Sequence, residues 1–302
     1  MIGFNTATGA FYDRSVTDMA ALRKNADDMQ RQLSSGQRLA RSSDDPVAAS
    51  RLRALSRAEK LGTIDSAAAD RAQTDLSLTD DALQGFADTI TRVQELATQA
   101  ANDTLGDAQR AAIGTQIDQL HDQLVQLANS RDSTGNALFG GQAAGDAYTI
   151  DGNGNAAYAG TATSGELTLG GGQAVTRGLT GPEALGPDAT GLLATVKGLA
   201  DALQGGAADP QAAARAVLSP LGRALDSVAT AQTVVGARLN FIDMANQHRA
   251  AVDDLRAGER SEIGDTDITG TVARLQQTML VLEASQASFT RLSGLSLFNA
   301  IG

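Results

Sequence analysis

Apolar residues recur at helical spacing along both ends of this chain, and the two rhythmic blocks are separated by a stretch without that spacing. Val16, Met19, Leu22, Ala26, Met29 and Leu33 step by three and four, which draws one apolar seam on a first helix. Ser15 with Asp18 three residues later resembles a capping box and predicts the start of that helix, and SSG at 34–36 ends it. SSDDP at 42–46 opens the next helix. Asp45 suits the N-cap because the following proline biases it to extended dihedrals, and Pro46 suits the first helical position, where a missing N–H costs nothing. Leu76, Leu83, Phe86, Ile90, Val93, Ala97 and Ala100 continue a stripe. NDTLGD at 102–107 interrupts it, Asp107 is placed to recap, and Ile113, Ile117, Leu120, Leu124 and Leu127 form the next stripe.

The rhythm stops near Asp132 and stays absent to about Gly191, where Gly and Thr are frequent and short alternating pieces appear (YTI, AAYAG, ELTL). GNGN at 152–155 reads as a hairpin turn between two of them. Helical spacing returns near Leu192, Asp209-Pro210 repeats the cap-then-proline device, and Leu218, Leu221, Leu225, Val228, Val235, Leu239 and Ile242 form a seam. Gly258 and Gly264 bracket an expected hinge, and Ile268, Val272, Leu275, Met279, Leu282 and Phe289 mark the last helix. The pattern predicts a mainly α protein: an elongated antiparallel helical bundle formed by the N- and C-terminal segments, with a small β-rich insertion in the middle of the chain. Three parts are expected. Residues 1–45 with 262–302 form a terminal coiled coil, 46–140 with 192–261 form a helical bundle, and 141–191 form the β-rich insertion.

The two ends raise a packing problem. MIGFNTATGAFY carries no charge before Asp13, and LSGLSLFNAIG carries none after Arg291. Free termini ordinarily favour polar residues. Paired only with each other, the first and last helices would leave much apolar surface in water. Met19, Leu22, Met29 and Leu33 in the first helix are therefore candidate subunit-interface residues. So are Met279, Leu282, Phe289, Leu292, Leu295, Leu297 and Phe298 in the last.

Charge and chemistry narrow the function. The chain has 302 residues, a net charge of −11 and Lys only at positions 24, 60 and 197, so no basic face for nucleic acid is expected. Cysteine is absent, no apolar run approaches a membrane span, and no basic stretch followed by an apolar one predicts a cleaved secretion signal. His121 and His248 are the two histidines, neither lies in HExxH, and each is expected on a polar helix surface. No phosphate-binding loop and no GxSxG occurs. DGNGN at 151–155 resembles a calcium loop but places Ala156 and Ala162 where a glycine and a bidentate glutamate belong. Acid pairs such as Asp44-Asp45 are better read as caps and solubilising charge than as metal ligands, since adjacent helical residues point about 100° apart. No catalytic residue, metal ligand or cofactor is expected, and the chain is read as a non-enzyme.

Six segments carry a family resemblance: QLSSGQRLARSSDDPVAASRL (32–52), ITRVQELATQAANDTLGDAQRAAI (90–113), LANSRDSTGNALFGG (127–141), IDGNGNAAYAG (150–160), VVGARLNFID (234–243) and LVLEASQASFTRLSGLSLFNAI (280–301). Together they resemble the flagellin family of bacterial flagella. DDPVAA in place of DDAAGLAI, with the DGNGNAAYAG hairpin and the SLF ending, points to its hook-associated members at the hook–filament junction. The resemblance implies a structural subunit whose termini stack in an inner tube, with partners among other hook-associated proteins, flagellin and copies of itself. It also implies export without a cleaved signal peptide, a chaperone on the C-terminal helix, and an extracellular place in the flagellum. A filament-forming flagellin of the same fold is the alternative, and a surface ligand-binding protein using the β insertion is a second. ITRVQELATQAAN further resembles the segment read by the vertebrate flagellin receptor, with Arg92, Glu95 and Leu96 as the matching positions and Gln94 and Thr98 departing from the usual Arg and Val.

Overall fold

A computed structural model describes the backbone of residues 3–152, 154–186 and 189–301, and the side chains of 10–152, 154–186 and 191–292. In chain order the helices are α1 (Gly3–Ser35), α2 (Pro46–Ala100), α3 (Asp107–Ala128), α4 (Gly181–Leu185), α5 (Ala189–Asp201), α6 (Pro210–Gly264) and α7 (Ile268–Ile301). The strands are β1 (Tyr148–Ile150), β2 (Ala156–Tyr158), β3 (Glu166–Gly170) and β4 (Gln173–Thr176), and a π-turn at Ala202–Gly206 follows α5. The strands make two separate antiparallel pairs, β1–β2 with Tyr148 opposite Tyr158, and β3–β4 with Glu166 opposite Thr176. The protein is mainly α with a small β insertion in mid-chain, as the hydrophobic pattern predicts.

Element boundaries differ from the sequence reading in four places. α1 begins at Gly3, so Ser15 and Asp18 lie inside the helix and cap nothing. α3 is capped at Gly106, whose N–H donates to Gln109 Oε1 at 3.0 Å, and Asp107 is already helical. α6 runs unbroken through Gly258 to Gly264, so no break lies where the hinge was expected, and the helices part after it, at residues 265–267. Two further helices, α4 and α5, precede α6. α4 starts at a reciprocal capping box that TGPE announces, in which Thr180 Oγ1 accepts from Glu183 N and the Glu183 carboxylate accepts from Thr180 N.

The chain divides into two compact units, Met1–Lys60 with Ala251–Gly302, and Leu61–Ala250. The second holds the aromatic core. Leu76, Leu83, Phe86, Ile90 and Val93 of α2 are fully buried with Ile117 and Leu124 of α3, Leu193 and Leu199 of α5, and Leu221, Val228 and Val235 of α6. Phe86 meets Phe139 edge-on at 5.7 Å. α5 lies so close to α3 that a Cβ on Gly114 would come within 2.9 Å of the Ala200 carbonyl. The β insertion shares the core through Phe139, Tyr148, Leu169 and Val175, and polar contacts tie it further to the long helices. Asp75 of α2, buried, accepts from Ser133 Oγ at 2.9 Å and from Arg177 at 3.3 Å, and Arg238 and Arg249 of α6 donate to Gly178 O at 2.7 Å and Leu169 O at 2.6 Å.

The structure corrects the surface placement of His121, which is only 3 % exposed, while His248 is exposed. α5 covers the face of α3 that carries Gly114 and Asp118, one turn from His121. Its Nε2 finds no hydrogen-bond partner among the described residues, and its Nδ1 lies 3.4 Å from the Asp122 carboxylate.

Tyr148 is 1 % exposed, and its hydroxyl has no partner among the described residues. Burial pushes its phenol well above the usual range, and Tyr158 at 5.2 Å adds to the shift. The hydroxyl fits only because Gly181 opposite has no Cβ. An unpaired buried hydroxyl costs about 1–3 kcal/mol. Tyr148→Phe should therefore leave the thermal midpoint unchanged or raise it, as differential scanning calorimetry would read.

Candidate assembly surface

α1 and α7 pack against each other, but between them they do not build a core. Among their described residues Thr271 alone is fully buried. Met19, Leu22, Met29 and Leu33 of α1 and Leu275, Leu282 and Phe289 of α7 are half-buried. Tyr12 and Phe289 meet edge-to-face at 5.4 Å, and the Tyr12 hydroxyl donates to Leu292 O at 3.2 Å. A groove of about 370 Å³ runs between the helices there, lined by Phe11, Ser15, Met19, Val281, Phe289 and Leu292 among others.

Around and beyond this groove the pair is apolar and open. Phe11, Val16, Ile268, Val272, Met279, Leu280, Val281 and Leu292 are exposed, with Met279 at 58 % and Leu280 at 69 %. Met279, Leu280, Val281 and Leu282 are consecutive, and four such positions sweep about 300° of a helix. One partner helix cannot cover that arc. Of the candidate interface residues, Met279 and Leu292 lie on the open side, while Met19, Leu22, Met29, Leu33, Leu282 and Phe289 are half-buried. Leu295, Leu297 and Phe298 fall outside the described side chains. Phe11, Leu280 and Val281 join this surface from outside the seam, and the unbroken apolar run at 279–282 is the sequence signal for two of them.

The helix ends beside this surface are closed by side chains. Asp45 Oδ1 accepts from Ala48 N at 3.0 Å with Pro46 at the first helical position of α2, and Asp267 Oδ1 accepts from Gly270 N at 3.1 Å at the start of α7. Gly36 ends α1 with φ +71°, a conformation that favours glycine. Arg51 grips Glu259 through two hydrogen bonds of 2.5 and 2.7 Å, and Arg260 pairs with Glu59 at 2.7 Å. In the other unit Arg92 and Glu95 are exposed and paired at 2.7 Å, whereas Leu96 is 3 % exposed and belongs to the core. No group of His, Asp or Glu among the described residues could hold a metal ion, and no helix is long and apolar enough to cross a membrane.

In the unit that holds α1 and α7, Asp45 and Glu259 titrate below the ordinary carboxylate range. Asp45 is lowered mainly because Ala48 N–H donates to it, with Arg38 adding to the effect, and Glu259 because Arg51 donates to it. A carboxylate depressed in the fold stabilises it fully above the unfolded value, about 4, and that contribution is lost as pH falls through the lower folded value. Relative to its intrinsic rate, the Ala48 amide should therefore lose protection as pH falls from about 5 to about 2, and Asp45→Ala should remove the same protection at pH 7. NMR-detected amide exchange reads both.

The bacterial flagellin N-terminal helical region matches residues 14–144 of the chain. Flagellar hook-associated protein 3 of Escherichia coli is 30 % identical over 285 residues, covering 88 % of this chain and 90 % of that protein. The Salmonella typhimurium protein of the same name is 28 % identical over 291 residues, with the same coverage of 88 % and 90 %. A putative flagellar hook-associated protein from Vibrio parahaemolyticus shares the fold, with a TM-score of 0.68 at 20 % identity over 74 % of this chain and 100 % of the other. By the extent of the Escherichia coli match, the chain belongs to the family of flagellar hook-associated protein 3, among the flagellins.

Proposed function

We propose that this chain is a structural subunit of the bacterial flagellum that joins hook-associated proteins to the flagellin filament, with α1 and α7 packing against neighbouring subunits. The observation that carries the reading is the open apolar side of the α1–α7 pair, Met279 and Leu280 above all. Family membership supports the same role. In this reading residues 1–45 with 262–302 form the inner layer, 46–140 with 192–261 the next, and 141–191 the outward insertion. The neighbours are other hook-associated proteins, flagellin and copies of the chain. A chaperone covers the C-terminal helix before export, and the chain reaches the flagellum outside the cell without a cleaved signal. The role is non-enzymatic, because assembly needs complementary helical surfaces and no bond-making chemistry.

Replacing Met279 and Leu280 by Glu tests this. Both positions are exposed, so each change should alter folding stability by no more than about 0.5 kcal/mol. A charge buried without a partner in an assembled joint is costly. The expected result is a folded, exported protein, with non-motile cells that shed flagellin into the medium. Normal motility would refute the reading, and long filaments grown from the purified chain alone would favour a filament flagellin instead. Because His121 is buried, the catalytic alternative is best tested with His121→Leu plus His248→Ala, which should keep motility at the wild-type level. Lost motility in that variant, folded and exported, would overturn the non-enzymatic reading.

A further inference from the structure

Arg38 lies in the turn between α1 and α2, beside the turn between α6 and α7. Its backbone N–H donates to Gly264 O at 2.8 Å and its Nε to Ile263 O at 3.0 Å. Main chain and side chain of one residue thus satisfy two carbonyls that the end of α6 leaves open. Its guanidinium also stands 3.5 Å from Asp45 Oδ2, on the carboxylate whose other oxygen caps α2. Its own carbonyl accepts from Gln32 Nε2 in the last turn of α1 at 2.9 Å. Beside it Gln37 and Asp265 form an antiparallel bridge, and Thr266 N–H donates to Gly36 O at 2.9 Å. The ends of α1 and α6 and the start of α2 therefore meet at one residue, whose side chain joins α6 to the cap of α2, and the neighbouring bridge ties in the start of α7.

We propose that Arg38 is a positioning residue that fixes the direction in which α1 and α7 leave the ends of α2 and α6. Resting on the assembly role above, its effect is to hold the α1–α7 pair ready for its neighbours, so that less freedom is lost when the subunit docks. Arginine suits the position because its planar fork can turn one N–H to a carbonyl while another faces a carboxylate. Lysine offers a single ammonium and cannot span both in that geometry.

The chain has no cysteine, so Cys at the exposed positions Lys24 and Arg57 gives a uniquely doubly labelled protein. Double electron–electron resonance on the free chain should return one narrow distance distribution with Arg38 in place. Arg38→Ala should broaden it roughly twofold, with helix content by circular dichroism unchanged. Arg38→Lys should broaden it similarly. An unchanged width in Arg38→Ala, or broadening accompanied by loss of helix, would overturn the proposal. A narrow distribution in Arg38→Lys would overturn the part assigned to the fork. These distances are read on the free chain and stand whatever the flagellar role proves to be, which the Met279 and Leu280 substitutions test separately.

Discussion

A helix packed against a single neighbour can turn only one stripe of its surface inward, and α1 and α7 have apolar residues on more than one. The unit from Leu61 to Ala250 does not meet this limit, because α2, α3, α5 and α6 surround its core from several sides and bury Phe86, Phe139 and Tyr148 completely. In the unit that holds α1 and α7, Ala48, Ala49, Leu55 and Thr271 are the fully buried side chains among those described. At roughly 25 cal/mol per Å² of apolar surface removed from water, the open side of α7 is driving force still unspent in the single chain. More helices must come from elsewhere to use it.

Long helices make their ends expensive, since each leaves four N–H or C=O groups without intrahelical partners. α2 and α6 each run for 55 residues, and arginine closes a corner at one end of each. Arg110, 6 % exposed, donates to Ala100 O at 3.3 Å and Asn102 O at 3.1 Å past the end of α2. Arg38 does the equivalent for α6 at the surface. A cation at a helix C-terminus gains from the dipole as well as from the hydrogen bonds. The buried corner sits in the unit that has its own core, and the exposed one governs the pair that lacks a core.

How legible this was depended on whether a feature is set locally. Asp45-Pro46 and Asp209-Pro210 announce helix starts because capping is a contact within one turn, and Asp45 and Asp209 do accept from Ala48 and Ala212 N–H groups. The GNGN hairpin was legible for the same reason. The start of α1 was not: Ser15 with Asp18 has the residue types of a capping box, but both lie inside a helix that already runs from Gly3. The burial of His121 was not legible because it is set by segments far along the chain, with Ile150 and Gly152 of the β insertion and Lys197 of α5 around it. Arg38 was invisible as a functional candidate, since its partners Ile263 and Gly264 are more than two hundred positions away and contribute only backbone carbonyls. The outer face of α7 was half legible: its seam was plain, but a seam reports the inward side, and Leu280 lies 200° around from Leu282.

Charge is distributed to suit such packing. The whole chain carries −11, from 24 basic against 35 acidic residues. α1 contributes none of that excess, since Asp13, Asp18, Asp27 and Asp28 are matched by Arg14, Arg23, Lys24 and Arg31. α7 holds Glu283 against Arg274 and Arg291, a net of +1. The acidic excess therefore lies in the segments between them. Such an excess keeps subunits apart in solution, where net charge resists non-specific association. Identical or related chains can still bring α1 and α7 together without facing one another's surplus acid. The helix pair that carries this apolar surface thus has almost no net charge to repel a like pair from a neighbouring chain.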